Sequence, residues 1–120
     1  MYLLANRRTR GLASLSKATW VAGCERCRGH LLALCQTAGF EPRIGYESDD
    51  MVLIQALVAA GLCVATLPGL ALRAHHADRI TAIKLPGLPR RVYTATYGDP
   101  PDPPAVTALL AALAEAAAAA

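Results

Sequence analysis

Between Trp20 and Gly39 the chain passes from a short apolar run into a segment with helical spacing. Trp20 to Ala22 predicts a short buried strand, which Gly23 closes. From about Arg26, four apolar positions share one helical face: Leu31, Leu34, Cys35 and Ala38. Gly39 then predicts the C-terminal end of the helix, because glycine adopts the left-handed backbone conformation at little steric cost. This segment therefore predicts a strand followed by an amphipathic helix.

A second strand and helix follow, with boundaries that are easier to place. Residues 43–46 predict the strand, and Ser48 or Asp49 predicts the N-cap of the helix behind it. Asp50 complements the positive end of that helix dipole. Three residues mark the core face of the helix: Ile54, Leu57 and Val58. Gly61 predicts its C-terminal end.

A continuous apolar run, LCVATL over residues 62–67, completes this part of the chain. Bounded by Gly61 and Pro68, the run is typical of a strand buried on both faces of a parallel sheet. The order from Trp20 to Leu67 is therefore strand, helix, strand, helix, strand. Such alternation predicts an α/β layered domain with right-handed crossovers.

The flanking segments predict fewer elements. MYLLA at the start and residues 80–85 and 92–97 read as further strands, with a helical turn at LASLS. GDPPDPP predicts a stiff, extended linker. Residues 106–120 predict an alanine-rich helix with three large apolar anchors: Leu109, Leu110 and Leu113. Its last alanines, after Glu115, are expected to fray because they have nothing bulky to bury.

Composition excludes several classes of protein. The 120 residues are one domain's length, and the net charge of +3 lacks the long basic stripe of a nucleic-acid-binding module. No helix-turn-helix pattern or export signal is visible, and Gly61, Pro68 and Gly69 interrupt the longest apolar run before it could span a membrane. Four cysteines without disulfide-like spacing fit a reducing cytoplasm. We expect a cytoplasmic protein that neither enters a membrane nor binds DNA through this chain.

The Cys24–Cys27 pair, followed by His30, leaves three interpretations open. Structural zinc normally needs four ligands, usually two such pairs, and only one is present, so no metal or cofactor is predicted. A strand leading to Cys-x-x-Cys at a helix start is also the arrangement of thiol-disulfide oxidoreductases, although Trp20 stands four residues away. Alternatively, Gly23 and Cys24 present free N–H groups that bind carboxylates or phosphates. Adjacent Asp49 and Asp50 diverge on a helix, so no catalytic pair is predicted.

Several segments taken together resemble the effector-binding domain of LysR-type transcriptional regulators. The most telling are the Leu-Ala-x-Leu turn before Trp20, AGFEPRI, and ALVAAGL running into Leu67-Pro68. VYTAT followed by PAVTALLAALAEA resembles the closing strand and last helix of that family. The similarity covers about residues 12–116 and depends on the order and spacing of these segments.

The resemblance implies a periplasmic-binding-protein-like (type 2) lobe with three αβα layers and a mostly parallel sheet. Residues 1–120 would be a partial effector-binding domain, with the second lobe at about 12–90 and a returning strand and C-terminal helix at 91–118. The family's DNA-binding helix-turn-helix and the first half of its first lobe have no counterpart here, so we expect a fragment or a shortened product. The His-Pro-Leu usual before LASLS is also missing.

The family's function implies a ligand-sensing, oligomerising regulatory module that is not an enzyme. A small-molecule effector binds between the lobes, and an anionic one is a candidate because Arg26 and Arg28 lie at the helix start. The strand-end loops that would face it comprise seven predicted effector-binding residues: Gly23, Cys24, Ser48, Asp49, Leu67, Pro68 and Gly69. A homo-oligomer is expected, and DNA is a partner only through the missing domain. The alternatives are a thiol-disulfide oxidoreductase or redox-sensing module using Cys24 and Cys27, and a lobe of an exported solute-binding protein.

Overall fold

The computed structural model describes residues 1–87 and 91–119 of the chain. The chain forms two compact units, Met1–Arg90 and Arg91–Ala120. The predicted lobe boundary at residue 90 and the last residue of the predicted C-terminal helix, Ala120, lie outside the described residues. The division of the chain into family lobes stays a prediction.

The first unit combines strands and helices in alternation. Its strands are β1 Tyr2–Ala5, β2 Thr19–Ala22, β3 Arg43–Glu47, β4 Ala65–Leu67 and β5 Thr81–Lys84. Its helices are α1 Glu25–Thr37, α2 Met51–Ala59 and α3 Gly69–Ala74, and a 3-10 helix spans Leu12–Leu15. The predicted strand-helix-strand-helix-strand order and the turn at LASLS are confirmed, whereas α3 was not predicted.

Strand pairing shows a mixed sheet, so the prediction of a mostly parallel sheet is wrong. β2 and β3 run parallel, and an isolated parallel bridge joins Trp20 to Val64 just ahead of β4. β1, however, lies between β4 and β5 and is antiparallel to both. The direction of β1 depends on its tertiary neighbours, since an apolar run looks the same in either orientation. The α/β class is confirmed.

Helices α1 and α2 both end at the predicted glycines, with the same turn geometry. Gly39 has a φ of 85°, and the N–H groups of Gly39 and Phe40 bond the carbonyls of Gln36 and Cys35 at 3.0 and 3.1 Å. Gly61 repeats this geometry at the end of α2 with a φ of 77°. Each turn satisfies carbonyls that the helix leaves without partners. A Cβ on Gly61 would also come within 2.5 Å of the Asn6 amide nitrogen.

Alternate residues of each strand contribute to two apolar cores on opposite faces. Leu3 and Trp20 pack with α1 and the 3-10 helix, whereas Leu4 and Val21 pack with α2 and α3. The side chains of successive strand residues point to opposite faces, which accounts for this division. Helices therefore cover both faces of the strands, and the strand ends are left to carry a site.

Gln55 is the buried polar residue of the described core and lies on the inner face of α2. Its amide nitrogen donates to the carbonyl of His75, and its amide oxygen accepts from the N–H of Ala77, each at 2.9 Å. These two bonds hold the loop between α3 and β5 against α2. The buried amide is thereby satisfied, as most buried polar groups in folded proteins are.

The second unit contains helix α4, Pro104–Ala118, with proline at its first position. It begins two residues before the prediction, since proline is well suited to the first turn. None of its described residues is buried, so the predicted anchors Leu109, Leu110 and Leu113 do not pack into a core. The predicted strand at 92–97 is wrong, because within the described ranges this segment pairs with no strand and Val92, Tyr93 and Tyr97 are exposed.

No helix in the described part of the chain is both long enough and apolar enough to cross a membrane.

Candidate functional site

Three strand ends meet at one edge of the first unit. β2 ends at Ala22, β3 at Glu47 and β4 at Leu67, and the N–H of Ser48 donates to the carbonyl of Ala22 at 2.9 Å. The loops that follow these strands line a cavity of about 400 Å³. Ligands of open α/β sheets bind beyond the carboxyl ends of the strands, which is where this cavity lies.

Gly23 brings the first two loops into close contact. A Cβ on Gly23 would lie 3.1 Å from Asp49 Oδ1 and 3.3 Å from the Cβ of Cys27. Both distances are shorter than most real contacts of a Cβ atom, so a larger residue would push the loop of Asp49 away from the start of α1. The absence of a side chain at this position therefore shapes one wall of the cavity.

The wall of the cavity is mostly apolar. Ten lining residues are apolar or glycine: Met1, Val21, Ala22, Gly23, Leu31, Met51, Ile54, Ala65, Leu67 and Pro68. The charged lining residues are one cation, Arg26, and one carboxylate, Asp49. A cavity of this kind suits a small ligand whose apolar body is oriented by a few polar contacts.

Asp49 and Asp50 have different roles, and the predicted N-cap of α2 is corrected. Asp50 is the N-cap, since its Oδ1 accepts from the N–H groups of Val52 and Leu53 at 2.8 and 3.1 Å. Ser48 supports the turn by accepting from the N–H of Asp50 at 3.1 Å. The carboxylate of Asp49 is directed to Gly23 and lines the cavity. The two acids were indistinguishable in sequence because either can cap a helix.

Five of the seven predicted effector-binding residues line the cavity: Gly23, Ser48, Asp49, Leu67 and Pro68. The other two, Cys24 and Gly69, are not among its lining residues. Cys24 is the exposed N-cap of α1. Gly69 begins α3, and a Cβ there would face the ring of Tyr2 at 3.2 Å. Whether these residues bind an effector is untested and stays a proposal.

One face of α1 contributes residues that the prediction missed. Arg26, Cys27, His30 and Leu31 all line the cavity. They stand three, four, seven and eight positions after Gly23, which is the spacing of a single helical face. That periodicity could have identified them, had it been continued from the glycine turn. Thr66 and Met51 were also missed and lie beside predicted residues.

The four cysteines occupy two kinds of environment. Cys24 and Cys27 are exposed, their sulfur atoms lie 3.0 Å apart, and the hydrogen bond between the two side chains lowers the pKa of Cys24. Burial raises the pKa of Cys35 and of Cys63 to about 11. Among the described residues, no three His, Cys, Asp or Glu side chains are grouped to hold a metal ion.

The sequence of residues 2–118 matches the model of the LysR substrate binding domain family. The chain belongs to the LysR substrate-binding domain family. Its structure is similar to the crystal structure of CbnR, a LysR family transcriptional regulator, with a TM-score of 0.55 and 25% sequence identity. That match covers 72% of this chain and 33% of the CbnR chain, so the present chain spans about a third of its relative. No curated protein matches the sequence.

Membership of the LysR family confirms the resemblance noted from the sequence. LysR substrate-binding domains have a periplasmic-binding-protein-like fold, and the family is one of transcriptional regulators. Neither match supports the thiol oxidoreductase alternative.

Proposed function

We propose that this chain is the ligand-sensing lobe of a LysR-type transcriptional regulator, and that the cavity at the ends of β2, β3 and β4 receives the effector. The observation that carries the proposal is the convergence of all three strand-end loops on one cavity of about 400 Å³. Its volume falls in the range of small-molecule sites, about 300–1,000 Å³.

We favour an anionic effector because of the charges at the start of α1. The N-terminus of the 13-residue helix α1 carries partial positive charge, which attracts an anion. Arg26 in the first turn adds a full positive charge to the wall. Asp49 repels an anion at the opposite loop, so the anionic group of the ligand is expected on the Arg26 side.

A screen of small metabolites by thermal shift, with each hit confirmed by calorimetry, tests the proposal on this chain. Arg26→Gln should weaken an anionic hit about tenfold or more, since it removes the cation in the wall. Arg28→Gln is the matched control, because Arg28 pairs with Glu47 and does not line the cavity. Equal binding by both variants would place the ligand elsewhere, and a screen without any saturable hit would argue against a sensor.

In the intact regulator, effector binding would shift the balance between closed and open arrangements of two lobes. Such a shift requires different affinity for the two states. LysR regulators oligomerise and bind DNA through a separate domain. For this chain we propose a homo-oligomer that contacts DNA only through that other domain. We also propose a cytoplasmic location.

Self-association has a structural basis in the exposed first turn of α2. Val52 and Leu53 are 52% and 47% exposed, and the helix carries no charged side chain. Exposed apolar surface of this kind commonly marks an interface. Light scattering over a range of protein concentrations measures the oligomer, and a monomer at every concentration would contradict the proposal.

A further inference from the structure

Two cysteines at the start of α1 are placed as a chelating pair. Cys24 is the N-cap and Cys27 is the third residue of the helix, so one turn brings their side chains to the same side. Their sulfur atoms lie 3.0 Å apart and both residues are exposed. Cys27 also lines the cavity. A reagent arriving from solvent can therefore reach both sulfurs at once.

We propose that Cys24 and Cys27 form a bidentate dithiol site for a soft, thiophilic ion such as trivalent arsenic. Trivalent arsenic is pyramidal, and two sulfurs bound to it lie only a little farther apart than the 3.0 Å between these two, so the pair needs to open only slightly. Rotation of exposed side chains supplies that movement without disturbing the helix. This proposal does not rest on the proposed effector function.

The number of available ligands selects the kind of ion. No third His, Cys, Asp or Glu is grouped with the pair within residues 1–87 and 91–119, so a four-ligand zinc site does not form there. Thiolate ligands favour soft ions, and an ion of low coordination number can be held by two sulfurs with its remaining position open. Trivalent arsenic carried on an organic group meets both conditions.

The surroundings of the pair favour reaction at these sulfurs over the other two in the chain. The Cys27 side chain, and the backbone N–H groups of Cys27 and Arg26, lower the pKa of Cys24, while desolvation and the charge of Asp49 partly oppose them. The thiolate is the form that binds soft ions. The buried thiols of Cys35 and Cys63, with pKa values near 11, stay protonated and inaccessible at neutral pH.

Phenylarsine oxide is the probe, because it needs two thiols for stable binding. Both arsenic–oxygen bonds break and two arsenic–sulfur bonds form. The two thiol protons leave with the oxygen as one water molecule. Arsenic stays trivalent and sulfur stays at the thiolate oxidation level, so no oxidant or reductant takes part. The expected product is one arsenical for each reduced chain.

The test is a titration of the full reduced chain, followed by mass spectrometry and by counting the thiols that still react with an aromatic disulfide reagent. We expect one adduct per chain and the loss of both rapidly reacting thiols. Cys24→Ser and Cys27→Ser should each weaken binding at least about 100-fold, because each removes the chelate and leaves a single sulfur. Cys63→Ala should bind as the parent does.

The same experiment distinguishes binding at Cys24 and Cys27 from binding at another cysteine or no binding at all. An arsenical that binds either serine variant as tightly as the parent, or that fails to bind the folded parent, would overturn the proposal. Proteolytic mapping of the parent adduct needs no variant to fold. Arsenic on the peptide that carries Cys24 and Cys27 supports the site, and arsenic on Cys35 or Cys63 overturns it.

Discussion

Replacing Gln55 with leucine should release the loop between α3 and β5 from the core. Leucine is similar in size but can form neither the bond to the His75 carbonyl nor the bond to the Ala77 N–H. Each hydrogen bond contributes about 0.5–1.5 kcal/mol to stability, so the pair contributes about 1–3 kcal/mol. The His75 carbonyl belongs to an exposed residue and can find water, whereas the half-buried Ala77 N–H is harder to satisfy. We therefore expect Gln55→Leu to lower the free energy of unfolding by about 2 kcal/mol.

Urea unfolding followed by tryptophan fluorescence measures this loss directly. Trp20 is the one tryptophan of the chain and is fully buried in the unit that contains Gln55. With an m-value of about 1–3 kcal/mol/M, the loss lowers the unfolding midpoint by about 1 M. Gln36→Leu is the matched control, since Gln36 is exposed on α1 and should change stability by less than about 0.5 kcal/mol.

Hydrogen exchange at the Ala77 amide separates a local release from a general loss of stability. In the parent this N–H donates to the buried Gln55 oxygen and should exchange slowly. In Gln55→Leu it should exchange faster than the amides inside α1. If both the urea midpoint and the protection of the Ala77 amide were unchanged, Gln55 would not hold this loop against α2.

Three further predictions use matched positions in the chain. Gly61→Ala should cost more than about 1 kcal/mol because of its positive φ and crowded site, whereas Gly29→Ala, in an open part of α1, should stabilise by about 0.5–1 kcal/mol in thermal unfolding. Asp50→Ala should cost about 0.5–2 kcal/mol by removing the cap of α2, and Asp49→Ala should leave the melting temperature unchanged. Burial raises the pKa of Cys63 from its ordinary 9.0 to about 11, so the unfolded thiol ionises first and stability falls as pH rises from about 9 to 11. In Cys63→Ala the free energy of unfolding should decrease less over this pH range, and an equally steep decrease would contradict the prediction.

For the site, the sequence indicated which loops take part but not how their side chains are arranged. The resemblance to LysR regulators, applied to the loops at Gly23, Ser48 and Pro68, placed five lining residues, and consecutive parallel strands deliver their carboxyl ends to one edge. The face of α1 that joins them, with Arg26 and His30, follows the helical spacing from Gly23 but was not predicted to line the site. The different roles of Asp49 and Asp50 likewise depend on which carboxylate meets the first N–H groups of α2.

The sequence alone determined the elements whose causes are local. Apolar runs, helical spacing and the glycines at 39 and 61 specified the order of β2 to β4 and the ends of α1 and α2, since a helix terminates where its own backbone can turn. Tertiary structure decided the rest. The antiparallel direction of β1, the failure of 92–97 to become a strand and the cavity itself all depend on partners distant in the chain. A strand exists only through the neighbours that accept its hydrogen bonds, and a cavity only through the loops that meet around it.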